Sequence, residues 1–71
     1  MSEIDRRKLC FDMILVRKNG DRYNPISVDA FVALPIDERI SMIMSKRIRF
    51  FADETEVPVY QAIKSLDEAR S

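Results

Sequence analysis

Histidine is missing from this chain of 71 residues, and cysteine and glycine occur once each. Each scarcity removes a class of chemistry. Without histidine, neither Cys10 nor any serine has the base that activates a nucleophile in Ser-His or Cys-His catalysis. Cys10 lies in the most apolar stretch, the setting of a structural thiol rather than a reactive one. One cysteine excludes an internal disulfide, and one cysteine without histidine cannot build a structural zinc site. A single glycine excludes a phosphate-cradling glycine-rich loop. The acidic turn Asp53, Glu54, Glu56 lacks the alternating carboxylates and glycine of a calcium loop. The pairs Asp37/Glu38 and Asp67/Glu68 read as solvated surface, because so short a chain rarely encloses a pocket that shifts carboxylate pKa values. No catalytic residue, metal or cofactor is expected, and the chain reads as a non-enzyme.

Long apolar runs are missing as well. None approaches the ~20 residues of a membrane span. The acidic start Met-Ser-Glu-Ile-Asp carries no hydrophobic segment of a signal peptide. A cytoplasmic protein with a reduced Cys10 is the expected setting. Lysine plus arginine and aspartate plus glutamate number twelve each, giving a formal net charge of zero. No global basic charge points to nucleic acid.

What is present is enough to fold. Apolar residues make up 46% of the chain and charged residues 34%, unlike the poorly hydrophobic composition of disordered segments. The length allows one domain, assigned to residues 9–71 behind a flexible N-terminal tail at residues 1–8. Ser2, with Asp5 three residues on, offers a helix cap there instead. A domain this small without disulfide or metal commonly gains stability by oligomerising, so a homodimer is expected.

Periodicity predicts a small α+β fold. Residues 9–18 form a nearly continuous apolar run ended by Asn19-Gly20, a type I′ hairpin signature, with residues 21–24 returning as the second strand. Read instead as a helix capped by Gly20, the same run gives an all-α small bundle as the alternative. Asn24-Pro25 punctuates the chain. Ser27 caps a short helix with Phe31, Val32 and Leu34 inward. A longer helix opens at Pro35, with Asp37 and Glu38 in its first turn and a core stripe of Ile36, Ile40 and Ile43. The period then changes, and Arg47-Ile48-Arg49-Phe50 alternates as a strand does. A turn near residues 52–55 and a return through Glu56-Val57 make a short second hairpin. Pro58 opens a C-terminal helix over residues 59–70, with Val59, Ile63 and Leu66 as its stripe and Ala62 and Ala69 widening it. Residues 51–65 also resemble a helix-turn-helix core through Ala52 and Val57. They depart from it at Glu56, where the turn glycine belongs, at Pro58, and at Ala62 and Ser65, which replace anchoring apolar residues.

The change of period concentrates isoleucine, methionine and phenylalanine beside Lys46, Arg47 and Arg49. Met42 and Met44 flank Ile43 and cannot share one helical face with it, so apolar surface must project, and methionine adapts to varied partners. Phe50 and Phe51 point to opposite sides of a strand. Arginine beside aromatics suits an interface rim. The expected function is a protein–protein interaction or regulatory adaptor module. It self-associates and presents Met42, Met44, Arg47, Arg49, Phe50, Phe51 and Tyr60 to a protein partner. The alternative is a small nucleic-acid-binding protein. Arg6-Arg7-Lys8, Arg17-Lys18-Arg22 and Lys46-Arg47-Arg49 make one positive face if the fold joins them, with Phe50, Tyr23 or Tyr60 for stacking.

Overall fold

A computed structural model of the protein describes residues 4–18 and 20–70; Ser2 and Asn19, assigned to a cap and a turn above, lie outside them. The chain runs β1 (Met13–Val16), β2 (Asn24–Ile26), α1 (Val28–Ala33), α2 (Ile36–Met44), β3 (Ile48–Ala52), β4 (Thr55–Val57) and α3 (Val59–Ala69). The strands form one four-stranded antiparallel sheet in the order β2-β1-β3-β4. This is the α+β reading, and the all-α alternative falls with β1 and β3. The helix-turn-helix resemblance falls as well, because β3 and β4 occupy the place of its first helix.

Register follows burial. Ile14 stands opposite Ile26 on one side and Phe50 on the other, and Phe50 stands opposite Val57. Directly opposed residues share a sheet face, so one apolar row crosses all the strands beneath the helices. Phe50 sits at its centre, packed edge-on against Phe11 (centroids 4.8 Å apart) and Phe31 (6.1 Å). The core adds Val28, Met42, Ile48, Ala62 and Leu66.

The first connection differs from expectation. β1 ends at Val16 and β2 begins at Asn24, farther apart than a two-residue hairpin turn allows, and between them the Asp21 amide donates to the Lys18 carbonyl. Of the proposed return strand only Asn24 pairs, and Pro25, which seemed to break the chain, lies within β2 opposite Leu15. β2 is an edge strand, where a missing amide donor is tolerated. The second turn stands where it was expected: Asp53-Glu54 is a tight turn in which both residues have positive φ (49° and 68°), as a type I′ turn requires. The Asp53 amide there donates to Asp12 Oδ2.

Residues 4–8, expected to belong to a tail, are held against α3. The Asp5 amide donates to the Ala69 carbonyl, and Asp5 caps a 3-10 turn at Arg6–Lys8 by accepting from the Arg7 amide. Ser27 caps α1 as anticipated, its hydroxyl accepting from the Ala30 amide at 3.0 Å.

Of the two longer helices only α2 is rotated from its expected stripe; α3 buries Leu66, Ala62 and Ala69 as expected and adds Ser65. In α2 the inward positions are Arg39, Met42 and Ile43, spaced as one helical face; Met42 is 7% exposed, whereas Ile36 is 65% and Ile40 52% exposed. The expected core stripe is therefore mostly surface. Arg39 is half-buried, its Nε donates to the Leu34 carbonyl, and it lines the space between α2 and α3. In α3 the buried face is Ala62, Ser65, Leu66 and Ala69. Small residues there let the helix lie close to the sheet, and Ser65 is satisfied by donating to the Ala62 carbonyl and accepting from the Cys10 amide.

Candidate functional site

A groove runs between α2 and α3. It has a volume of about 200 Å³, with Phe31 and Leu66 buried at its base and Ile36, Ile40, Ile43 and Ile63 along its walls. Arg39, Arg70 and Asp67 supply its charged edge. The apolar surface continues beyond the groove. Met44, four residues after Ile40 on the same line of α2, is 78% exposed, and Tyr60, three residues before Ile63 on α3, is 77% exposed. A groove with one carboxylate and two guanidiniums is equipped to hold an apolar segment.

A second region lies on the opposite side of the molecule. The outer face of the sheet has no helix over it. Leu15, opposite both Pro25 and Arg49, and Phe51, opposite Met13 and Glu56, make up this face. Arg49 is fixed by Glu56 in a two-pronged ion pair, with Nε–Oε2 at 3.0 Å and Nη2–Oε1 at 2.5 Å. Its guanidinium carbon lies 5.3 Å from the Phe51 ring centre and 5.6 Å from that of Tyr23, and the Arg17 guanidinium carbon lies 4.9 Å from Tyr23. The hydrogen bonds from Arg49 hold the Glu56 carboxyl below its ordinary pKa. The Tyr23 hydroxyl donates to the Lys46 carbonyl, and the Arg17 amide to that of Arg47. Two of the three basic clusters thus meet around Tyr23. The third does not join them: Arg6 pairs with Asp29 and Arg7 with Asp5 beside α3.

The residues proposed from sequence as one partner surface are divided three ways. Met42 and Phe50 are core residues and are unavailable to a partner, which corrects that part of the assignment. Phe50 was half of an alternating pair with Phe51, and the helices cover its side of the sheet. Met44 and Tyr60 are on the helix side, whereas Arg49 and Phe51 are on the open sheet face. Arg47 lies between, with Nε donating to Ser45 Oγ (2.7 Å) and Nη2 to Ser41 Oγ (3.2 Å) along α2. Sequence reasoning missed Ile36 and Ile40, which it assigned to the core. The signal was the line Ile36, Ile40, Met44, a four-residue spacing ending in an unpartnered methionine.

Among the described residues no three metal-ligating side chains come together, and no helix is long and apolar enough to cross a membrane. No family model matches the chain, and neither a curated protein nor a solved structure matches it.

Proposed function

We propose that the protein is a non-enzymatic interaction module, of regulatory or adaptor type, that pairs with a second copy of itself through the α2–α3 face. The observation that carries this reading is the line Ile36, Ile40, Met44, exposed over two turns of α2 and continuous with the groove beside Ile63. Contiguous apolar surface of this kind marks contact sites rather than scattered exposure. Charge layout favours a second copy. Two α2 helices related by a two-fold axis near Ile40 run antiparallel. The acidic first turn of each, Asp37 and Glu38, then comes beside the other's Arg47, whose guanidinium already lies along Ser41 and Ser45. Opposed helix dipoles align in the same arrangement. Cys10, free and half-buried, suits a reducing compartment, and we place the protein in the cytoplasm on that ground.

Sedimentation equilibrium over a range of concentrations tests the pairing. The wild type is expected to shift towards twice the monomer mass as concentration rises, and Ile40→Glu to stay monomeric. A wild type that remains monomeric at several hundred micromolar contradicts the reading.

A further inference from the structure

The sheet face carries a separate argument, independent of the α2 line. The guanidiniums of Arg17 and Arg49 lie over the Tyr23 ring, whose hydroxyl donates to the Lys46 carbonyl, and Lys18 and Arg22 neighbour Arg17 and Tyr23 in the chain, so five basic residues belong to this end of the sheet. Against them stand Asp21 in the same loop and Glu56, which Arg49 engages with both prongs. Arg17, Tyr23, Arg49 and Phe51 form a run of planar groups across an uncovered face. Lys46 adds a second kind of observation. It occupies the left-handed position after α2 (φ 59°), where the Lys46 amide donates to the Ile43 carbonyl and the Arg47 amide to that of Met42. This is a helix-ending turn that glycine fills at no steric cost. A lysine held there despite the strain is a pointer to use rather than to folding.

We infer that this end of the sheet binds single-stranded nucleic acid. Arg17, Lys18, Arg22 and Lys46 meet the phosphates, and unstacked bases lie against Tyr23, Phe51 and the guanidinium planes of Arg17 and Arg49. Alternating cations and flat π surfaces are what a single strand needs, since every base has a face to stack. A duplex is disfavoured, because reading its major groove takes a basic helix or ribbon. Here α2 opens on Asp37 and Glu38, and α3 carries Asp67 and Glu68 on its last turn. An acidic peptide has the charge for the site but no bases to stack on its rings.

Fluorescence anisotropy with a labelled oligothymidylate of about a dozen nucleotides tests this, with a matched duplex and polyglutamate as competitors. The single strand is expected to bind and to lose about tenfold or more in affinity between about 50 and about 200 mM salt. Tyr23→Leu and Arg17→Ala are each expected to weaken it by at least about fivefold. Tyr23→Phe, which keeps the ring, restores binding, and Lys64→Ala on α3 leaves it unchanged. Circular dichroism melts check that each variant folds; Arg17→Glu, a substitution of an exposed residue, reads the same site if Tyr23→Leu does not fold. Failure to bind the oligothymidylate, equal competition by duplex or polyglutamate, or full binding by Arg17→Glu overturns the inference.

Discussion

The two faces of this small domain are built from opposite materials. On the helix side, Ile36, Ile40, Met44 and Ile63 line up as apolar surface with Arg39, Asp67 and Arg70 at its edge. On the sheet side, apolar Leu15 and Phe51 share their face with Arg49 and Glu56, and guanidinium groups lie over the rings of Phe51 and Tyr23. The difference has a simple origin. A sheet with helices on one side leaves its other face to solvent, and alternation along each strand fills that face with mixed residues. Helix surface has no such constraint, because rotating α2 by one residue changes which apolar side chains are covered. The sheet face is thus made water-compatible by charge, while the α2 flank keeps apolar surface uncovered, which is the ground of the proposed self-association.

The largest effect that separates surface from interior falls on neighbouring phenylalanines. Phe50→Ala removes the ring at the centre of the core and is expected to cost about 3–5 kcal/mol, whereas Phe51→Ala costs less than about 1 kcal/mol; urea melts of both decide it. Equal losses would mean that the outer face is packed as tightly as the inner. Next comes the apolar flank: Ile40→Glu is expected to weaken self-association by about thirtyfold or more, as loss of a central contact does. Its melting midpoint as a dilute monomer should stay within about 0.5 kcal/mol of the wild type. A smaller effect belongs to the left-handed residues. Lys46→Gly and Glu54→Gly should each stabilise the fold by about 0.5–1 kcal/mol, but only Lys46→Gly should weaken oligothymidylate binding, which couples strain on the sheet side to use.

The smallest effect is on pH dependence. The folded-state pKa of Glu56 is depressed by its hydrogen bonds from Arg49, so its pairing stabilises the fold above the unfolded carboxyl value of 4.5 and is lost as pH falls through the lower folded value. Glu56→Gln should therefore shallow the acid limb of the stability profile and leave the profile above pH ~6 unchanged in shape; an unaltered acid limb would mean that the sheet-face pair is solvated away.

Much of the fold was legible because strands advertise themselves through alternation. Ile48, Phe50 and Val57 point inward and Arg49, Phe51 and Glu56 outward, as period-two reading requires. The helices were harder. In α2, Ile36, Ile40 and Ile43 make a more apolar stripe than Arg39, Met42 and Ile43, and nothing local reveals that Arg39 is less exposed than Ile36 and Ile40. Of the turns, the one at residues 52–55 was legible and the β1–β2 connection was not, because Pro25 pairs within edge strand β2 and moves its start to Asn24, so tertiary context outweighs local propensity. The sheet-face site was partly visible, since Arg17, Lys18, Arg22, Tyr23 and the later basic cluster were all noted. Their meeting was not, because it depends on β1 lying beside β3.

The claim that the α2 flank is the self-association surface is tested most directly by following side-chain methyl and ring NMR signals as the protein is diluted. Signals of Ile36, Ile40, Met44 and Ile63 should move with concentration while those of Leu15, Tyr23 and Phe51 stay fixed. Movement confined to the sheet-face signals, or no movement anywhere, would contradict the account.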